Sequence, residues 1–167
     1  MALLPTDGAG AWRATVRSIL ICLPAFLALR LIAWGGAAPP VGLLPGLLIE
    51  TLAFVTAWAA LLLGTLPLVN AAGAAARWPH FVAAWNWANV PQYVVLLIAM
   101  IVPPALGLPD WVSHGLALSA FGWALWLEWW VAKVALGAGP LVAAAIVVTD
   151  VLIGIVVGGV AGRLVGG

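Results

Sequence analysis

Five apolar stretches, Ser18–Trp34, Leu47–Val69, Phe81–Val102, Val112–Leu136 and Leu141–Ala161, follow one another with only short Pro- and Gly-rich joints between them. At about 1.5 Å per residue, a helix of each stretch crosses or nearly crosses a hydrocarbon layer of roughly 30 Å. The pattern predicts an all-α, polytopic membrane bundle of five transmembrane helices. Residues 1–17 then form a short cytoplasmic N-terminal segment, and residues 18–167 a single transmembrane domain. Pro24 removes a backbone donor inside the first stretch and is expected to bend that helix. Arg13 and Arg17 precede this stretch as basic residues precede a signal peptide. Its apolar run continues past signal length, however, to Trp34-Gly35-Gly36, with no small-x-small site before it, and so reads as a mature helix.

Composition agrees with lipid as the solvent. Hydrophobic residues make up 66% of the chain and charged residues 7%, against about 25% in ordinary soluble domains. Mean hydropathy is +1.21. Little chain remains outside the spans for an extramembrane catalytic module. Six Lys+Arg against five Asp+Glu form no basic tract for nucleic acid. The single cysteine, Cys22, allows neither an intrachain disulfide nor a thiolate cluster and reads as a small packed apolar residue. With the N-terminus inside, Arg13, Arg17, Arg77 and Lys133 fall on the cytoplasmic side and only Arg30 and Arg163 opposite. Basic residues stay cytoplasmic, so the N-terminus is expected in the cytoplasm and the C-terminus in the periplasm.

Charges within lipid cost roughly 2.5–3.5 kcal/mol each on insertion scales, so Arg30, Glu50, Glu128 and Asp150 need an account. Arg30 ends the first span and Glu50 opens the second, with the turn Gly35-Gly36-Ala37-Ala38-Pro39-Pro40 between them. Their matched depth predicts an interhelical ion pair; the alternative is that each snorkels to the headgroups.

The third span opens with Asn86, Asn89 and Tyr93 at i, i+3 and i+7, and Gln92 lies beside them, so a polar stripe descends to about mid-membrane. Pro91 in that run leaves the carbonyl of Trp87 without its helical donor. The stripe is either interhelical hydrogen-bond glue or the wall of a polar pathway. In the fourth span Trp123, Trp126 and Trp130 share one face, which suits interfacial anchoring, and Glu128 points elsewhere. Gly154, Gly158 and Gly162 form an overlapping GxxxG ridge in the fifth span, read as a helix-packing surface that Asp150 continues. If the last three spans meet, Asn86, Asn89, Gln92, Tyr93, Glu128 and Asp150 make one intramembrane polar cluster, with Arg77 or Lys133 as charge partners at its mouth.

No cofactor or metal is expected. On this topology His80 and His114 lie at opposite interfaces, which excludes a haem held by both, and nothing beside either completes a metal site. Ser113 and Ser119 lack a companion base. No phosphate loop, HExxH or CxxC occurs. Glu128 and Asp150 alone would have to carry any intramembrane chemistry on a lipid, so the chain reads as no enzyme.

The run Asn86-Trp87-x-x-Val90-x-Gln92, the run Trp129-Trp130-Val131-Ala132-Lys133-x-Ala135-Leu136 and Asp150 within the last span resemble uncharacterised bacterial five-span inner-membrane proteins. These in turn resemble, distantly, the Yip-type family of Rab-GTPase-interacting membrane proteins. The resemblance covers most of residues 12–162 and implies a five-helix bundle of the bacterial inner membrane that organises membrane or binds partners, without catalytic activity. It supplies no catalytic residue. The long soluble N-terminal segment of the eukaryotic members has no counterpart here, so GTPase binding is not carried over. Expected partners are the lipid bilayer, other membrane proteins or a second copy, and no nucleic acid. The alternative function is a small oligomeric transporter or channel that uses the polar cluster.

Overall fold

A computed structural model describes residues 8–166; residues 1–7 of the N-terminal segment, and Gly167, lie outside the described residues. The chain is all-α among them, with helices α1 (Gly8–Ala33), α2 (Leu43–Ala71), α3 (Trp78–Ala105), α4 (Asp110–Leu136) and α5 (Pro140–Gly166) and a 3-10 turn at Ala75–Arg77. α2, α3 and α5 extend beyond their apolar stretches at both ends and α1 and α4 at the start, because a helix satisfies its own backbone as well in the headgroup layer as in hydrocarbon. Pro79 and Pro140 stand at helix starts, where no intrahelical N–H bond is required. α1 begins at Gly8, so Arg13 and Arg17 lie on the helix itself, and it runs unbroken through Pro24.

α1, α2, α3 with its preceding turn, and α5 are each long and apolar enough to cross a membrane. α4 matches them in length, but His114, Glu128, Lys133 and five tryptophans lower its hydropathy. The chain therefore has the build of a multi-pass membrane protein. Large apolar side chains stand outward on every helix, among them Leu20, Leu52, Ile98, Leu118 and Ile155. Such a surface suits lipid, not water.

The helices form a ring. α3 packs against α1 and α4, α5 packs against α4 and α2, and α2 closes the circuit on α1. Although consecutive, α2 and α3 barely meet. The tightest packing lies at one end, where α2 finishes, α3 begins, α4 finishes and α5 begins. There Val69, Phe81, Leu136 and Ile146 are buried around Ala132 and Ala143, whose small side chains let the helices approach. The guanidinium of Arg77 lies across this end and donates to the carbonyl of Leu136 at 3.4 Å, where the negative end of the α4 dipole favours a cation. Gly137 beside it has φ 61°, and a Cβ there would collide with that guanidinium.

At the opposite end Arg30 and Glu50 pair at 2.5 Å, with Glu50 only 2% exposed. Phe26 and Phe54 stack nearby, with centroids 5.1 Å apart. The α1–α2 joint folds onto Gly46, where a Cβ would stand 2.7 Å from Pro39 Cγ and 3.1 Å from Trp34 Cη2.

The glycine ridge requires a correction. Gly154, Gly158 and Gly162 are exposed, and a Cβ built on any of them meets nothing within 4 Å. No helix among the described residues packs on that ridge. The close helix approach on α5 lies elsewhere, against Gly64 of α2, where a Cβ would meet Thr149 Cγ2 at 3.5 Å.

Candidate functional site

A ring of helices leaves a centre, and here it holds a cavity of about 410 Å³. Its wall draws on the middle of every helix: Ile19 and Cys22 from α1, Phe54 to Leu61 from α2, Trp85 to Leu96 from α3, Phe121 to Glu128 from α4, and Asp150 to Ile155 from α5. All six side chains of the expected polar cluster, Asn86, Asn89, Gln92, Tyr93, Glu128 and Asp150, line it. The i, i+3, i+7 spacing turns the α3 members to one side. α4 and α5 meet that side because they flank the same face of the ring.

Two of these groups are tied down. Asn86 donates through Nδ2 to the carbonyl of Val82 at 2.7 Å and accepts from the indole Nε1 of Trp58 at 2.9 Å. Gln92 donates to the carbonyl of Ala124 at 3.1 Å, a bond that fastens α3 to α4. These are the glue contacts weighed from the sequence, each worth about 0.6 kcal/mol. Glu128 differs. It is 7% exposed, and its buried Oε2 has no hydrogen-bond partner. The cavity is thus polar on the α3–α4–α5 side, with the carboxyls of Glu128 and Asp150 both present, and aromatic elsewhere through Phe54, Trp58, Trp85 and Phe121.

The expected charge partners are not at the cavity. Arg77 is engaged by the end of α4, and Lys133 rests over the ring of Trp129 at 4.9 Å from its centroid. Long flexible cations follow the helix ends and aromatic rims instead of entering the bundle. No Lys, Arg or His is in the wall. Trp123, Trp126 and Trp130 point outward, while Trp129 bonds the carbonyl of Pro140 at 3.1 Å and closes the α4–α5 turn.

Trp58 was not singled out from the sequence and Cys22 was read there only as a small packed apolar residue, although both line the cavity. A signal existed for Trp58. It falls midway along an apolar span, where an indole N–H meets no headgroup and needs an acceptor from the protein.

The wall is not closed all round. Its exposed members are Phe121 of α4 and Gly154 and Ile155 of α5. No protein-family model, curated protein or solved structure matches the chain.

Proposed function

We propose that this protein is a small transporter-type bundle that takes a solute into the centre of its helix ring. Its five helices are read as spanning the bacterial inner membrane with the N-terminus in the cytoplasm. Arg13, Arg17, Arg77 and Lys133 lie toward the N-terminal end of α1, which supports that orientation. The observation that carries the reading is the shared cavity: six polar side chains lining one space at mid-length of the helices, with a buried carboxylate oxygen left unpartnered. Mid-bilayer depth is where transporters place solute sites. Distant kinship with the Yip-type family and the absence of catalytic activity belong to the same proposal.

Asn89, half-buried in the cavity wall, is the position for a thiol reporter, because Cys22 is only 3% exposed. N-ethylmaleimide crosses bilayers but reacts with thiols that meet water. In native membranes it should label Asn89→Cys in a Cys22→Ala chain, and Ala57→Trp, which fills the cavity, should slow that labelling about tenfold or more, a hydrated-space effect. Labelling only after denaturation would overturn the reading.

The uncovered ridge of Gly154, Gly158 and Gly162 favours a second reading, in which a partner helix or another copy docks there and the bundle organises membrane proteins. Gly158→Leu should then lower the oligomer mass measured by light scattering, whereas an unchanged mass removes this reading.

A further inference from the structure

Resting on the solute-cavity reading, we infer that the ligand is a lipophilic organic cation, held between Glu128, Asp150 and the aromatic wall and entering sideways between α4 and α5. The first ground is charge. Two acidic residues, Glu128 and Asp150, line the cavity, no basic side chain is in its wall, and three of the bundle's cations are engaged elsewhere: Arg30 by Glu50, Arg77 by the end of α4, Lys133 by Trp129. Glu128 is more than nine-tenths buried, with Oε2 unpartnered and the residue in the cavity wall. A carboxylate at that depth stays ionised only beside a counter-charge, and a bound cation supplies it.

The second ground is the remainder of the wall. Phe54, Trp58, Trp85 and Phe121 place aromatic rings in it, and aromatic rings attract ammonium and phosphonium centres that carry apolar substituents. A small metal ion would want several oxygen ligands around it, and no group of three or more His, Cys, Asp or Glu gathers among the described residues. A volume of about 410 Å³ is the size of an organic-ligand pocket.

The third ground is the mouth. The exposed wall residues, Phe121, Gly154 and Ile155, belong to the neighbouring helices α4 and α5, and none is part of the packed end. Beyond Gly154 a Cβ at Gly158 or Gly162 would meet nothing within 4 Å, so no described side chain covers that face of α5. A flank opening faces acyl chains, so the ligand arrives by partitioning into the bilayer. Inorganic cations do not; amphiphilic ones do.

The test uses the full chain in nanodiscs, with empty nanodiscs subtracted, and three aromatic probes: tetraphenylphosphonium, tetraphenylborate and triphenylphosphine oxide. Titration calorimetry should find the cation bound about tenfold or more tighter than the anion or the neutral compound. Glu128→Gln and Asp150→Asn should each weaken the cation about tenfold and leave the neutral compound unchanged. Gly154→Trp should slow association. Equal affinities, tighter tetraphenylborate, or indifference to both carboxyl substitutions would overturn the cation assignment while leaving the solute cavity intact. Failure of all three probes to bind also overturns it. In that case thiol labelling separates the two ideas, since a reactive Asn89→Cys keeps the cavity and an unreactive one removes both.

Discussion

The two halves of the ring are built differently. Where α3 starts and α4 ends, Phe81, Leu136, Ala132 and Ala143 are 1% exposed or less, and Arg77 lies across the end. Where α4 starts and α5 ends, Trp111, Leu118, Phe121, Ile155 and Val156 stand largely exposed and the glycines between them touch nothing. Lipid does not drive helices together as water does, so association depends on close packing and on polar contacts. The first half has both. In the second half Gly115 and Gly122 of α4 and Gly154, Gly158 and Gly162 of α5 have no neighbour within 4 Å of a Cβ, and the polar contact is the Arg30–Glu50 clasp between α1 and α2. A closed end and a parted flank around one polar centre is the arrangement that a solute site entered from the side requires.

The clasp offers the hardest way to break that contrast. Arg30→Ala would leave Glu50 buried and unpaired, at a cost of about 3–5 kcal/mol, so unfolding in detergent should shift strongly and the open half should loosen first in hydrogen exchange. Arg30→Glu with Glu50→Arg should recover most of the loss. A loss below about 1 kcal/mol for the single change would mean that the pair is solvated and the second half is held by something else.

Overpacking the closed end comes next. Ala143 is 0% exposed against the α4 terminus, so Ala143→Leu should destabilise by about 1–3 kcal/mol. A neutral result would show that the closed end has slack and that the two halves differ less than their burial indicates.

Much of this was readable from residue order. The lengths of the apolar runs gave the helices, and the turn between Arg30 and Glu50 gave the equal depth that lets them pair. The spacing of Asn86, Asn89 and Tyr93 turned these groups to one side. What could not be read was rotation and neighbourhood. A helix apolar on nearly every face carries no amphipathic stripe to say which side meets protein, so the ring order, in which α2 and α3 barely touch, left no trace in the periodicity. The GxxxG ridge shows the same gap. Small residues permit a close approach but do not place a partner there, and Gly64 received the neighbour instead. Trp58 was missed because an indole within an apolar run looks like packing until its N–H is followed to Asn86.

Smaller effects sharpen the contrast at single contacts. Gly137→Ala forces a side chain onto a positive-φ position against Arg77 and should cost about 1–2 kcal/mol, measured by thermal unfolding. Trp58→Phe keeps the ring and deletes the bond to Asn86, a loss of about 0.6 kcal/mol. A cost well above that would mark the bond as a true α2–α3 tie across the centre.

The smallest expected effect is on the open flank. Gly158→Leu adds a large side chain where no atom lies within 4 Å of a Cβ, so the stability of the isolated chain in detergent should move by no more than about 0.5 kcal/mol. The same change at the closed end would be costly, and that asymmetry is the content of the comparison. Were Gly158→Leu to cost as much as Ala143→Leu, the flank would be packed against α4 in the folded chain. The seam beside Phe121 and Ile155 would then be shut, and the cavity would have to be entered from an end of the ring.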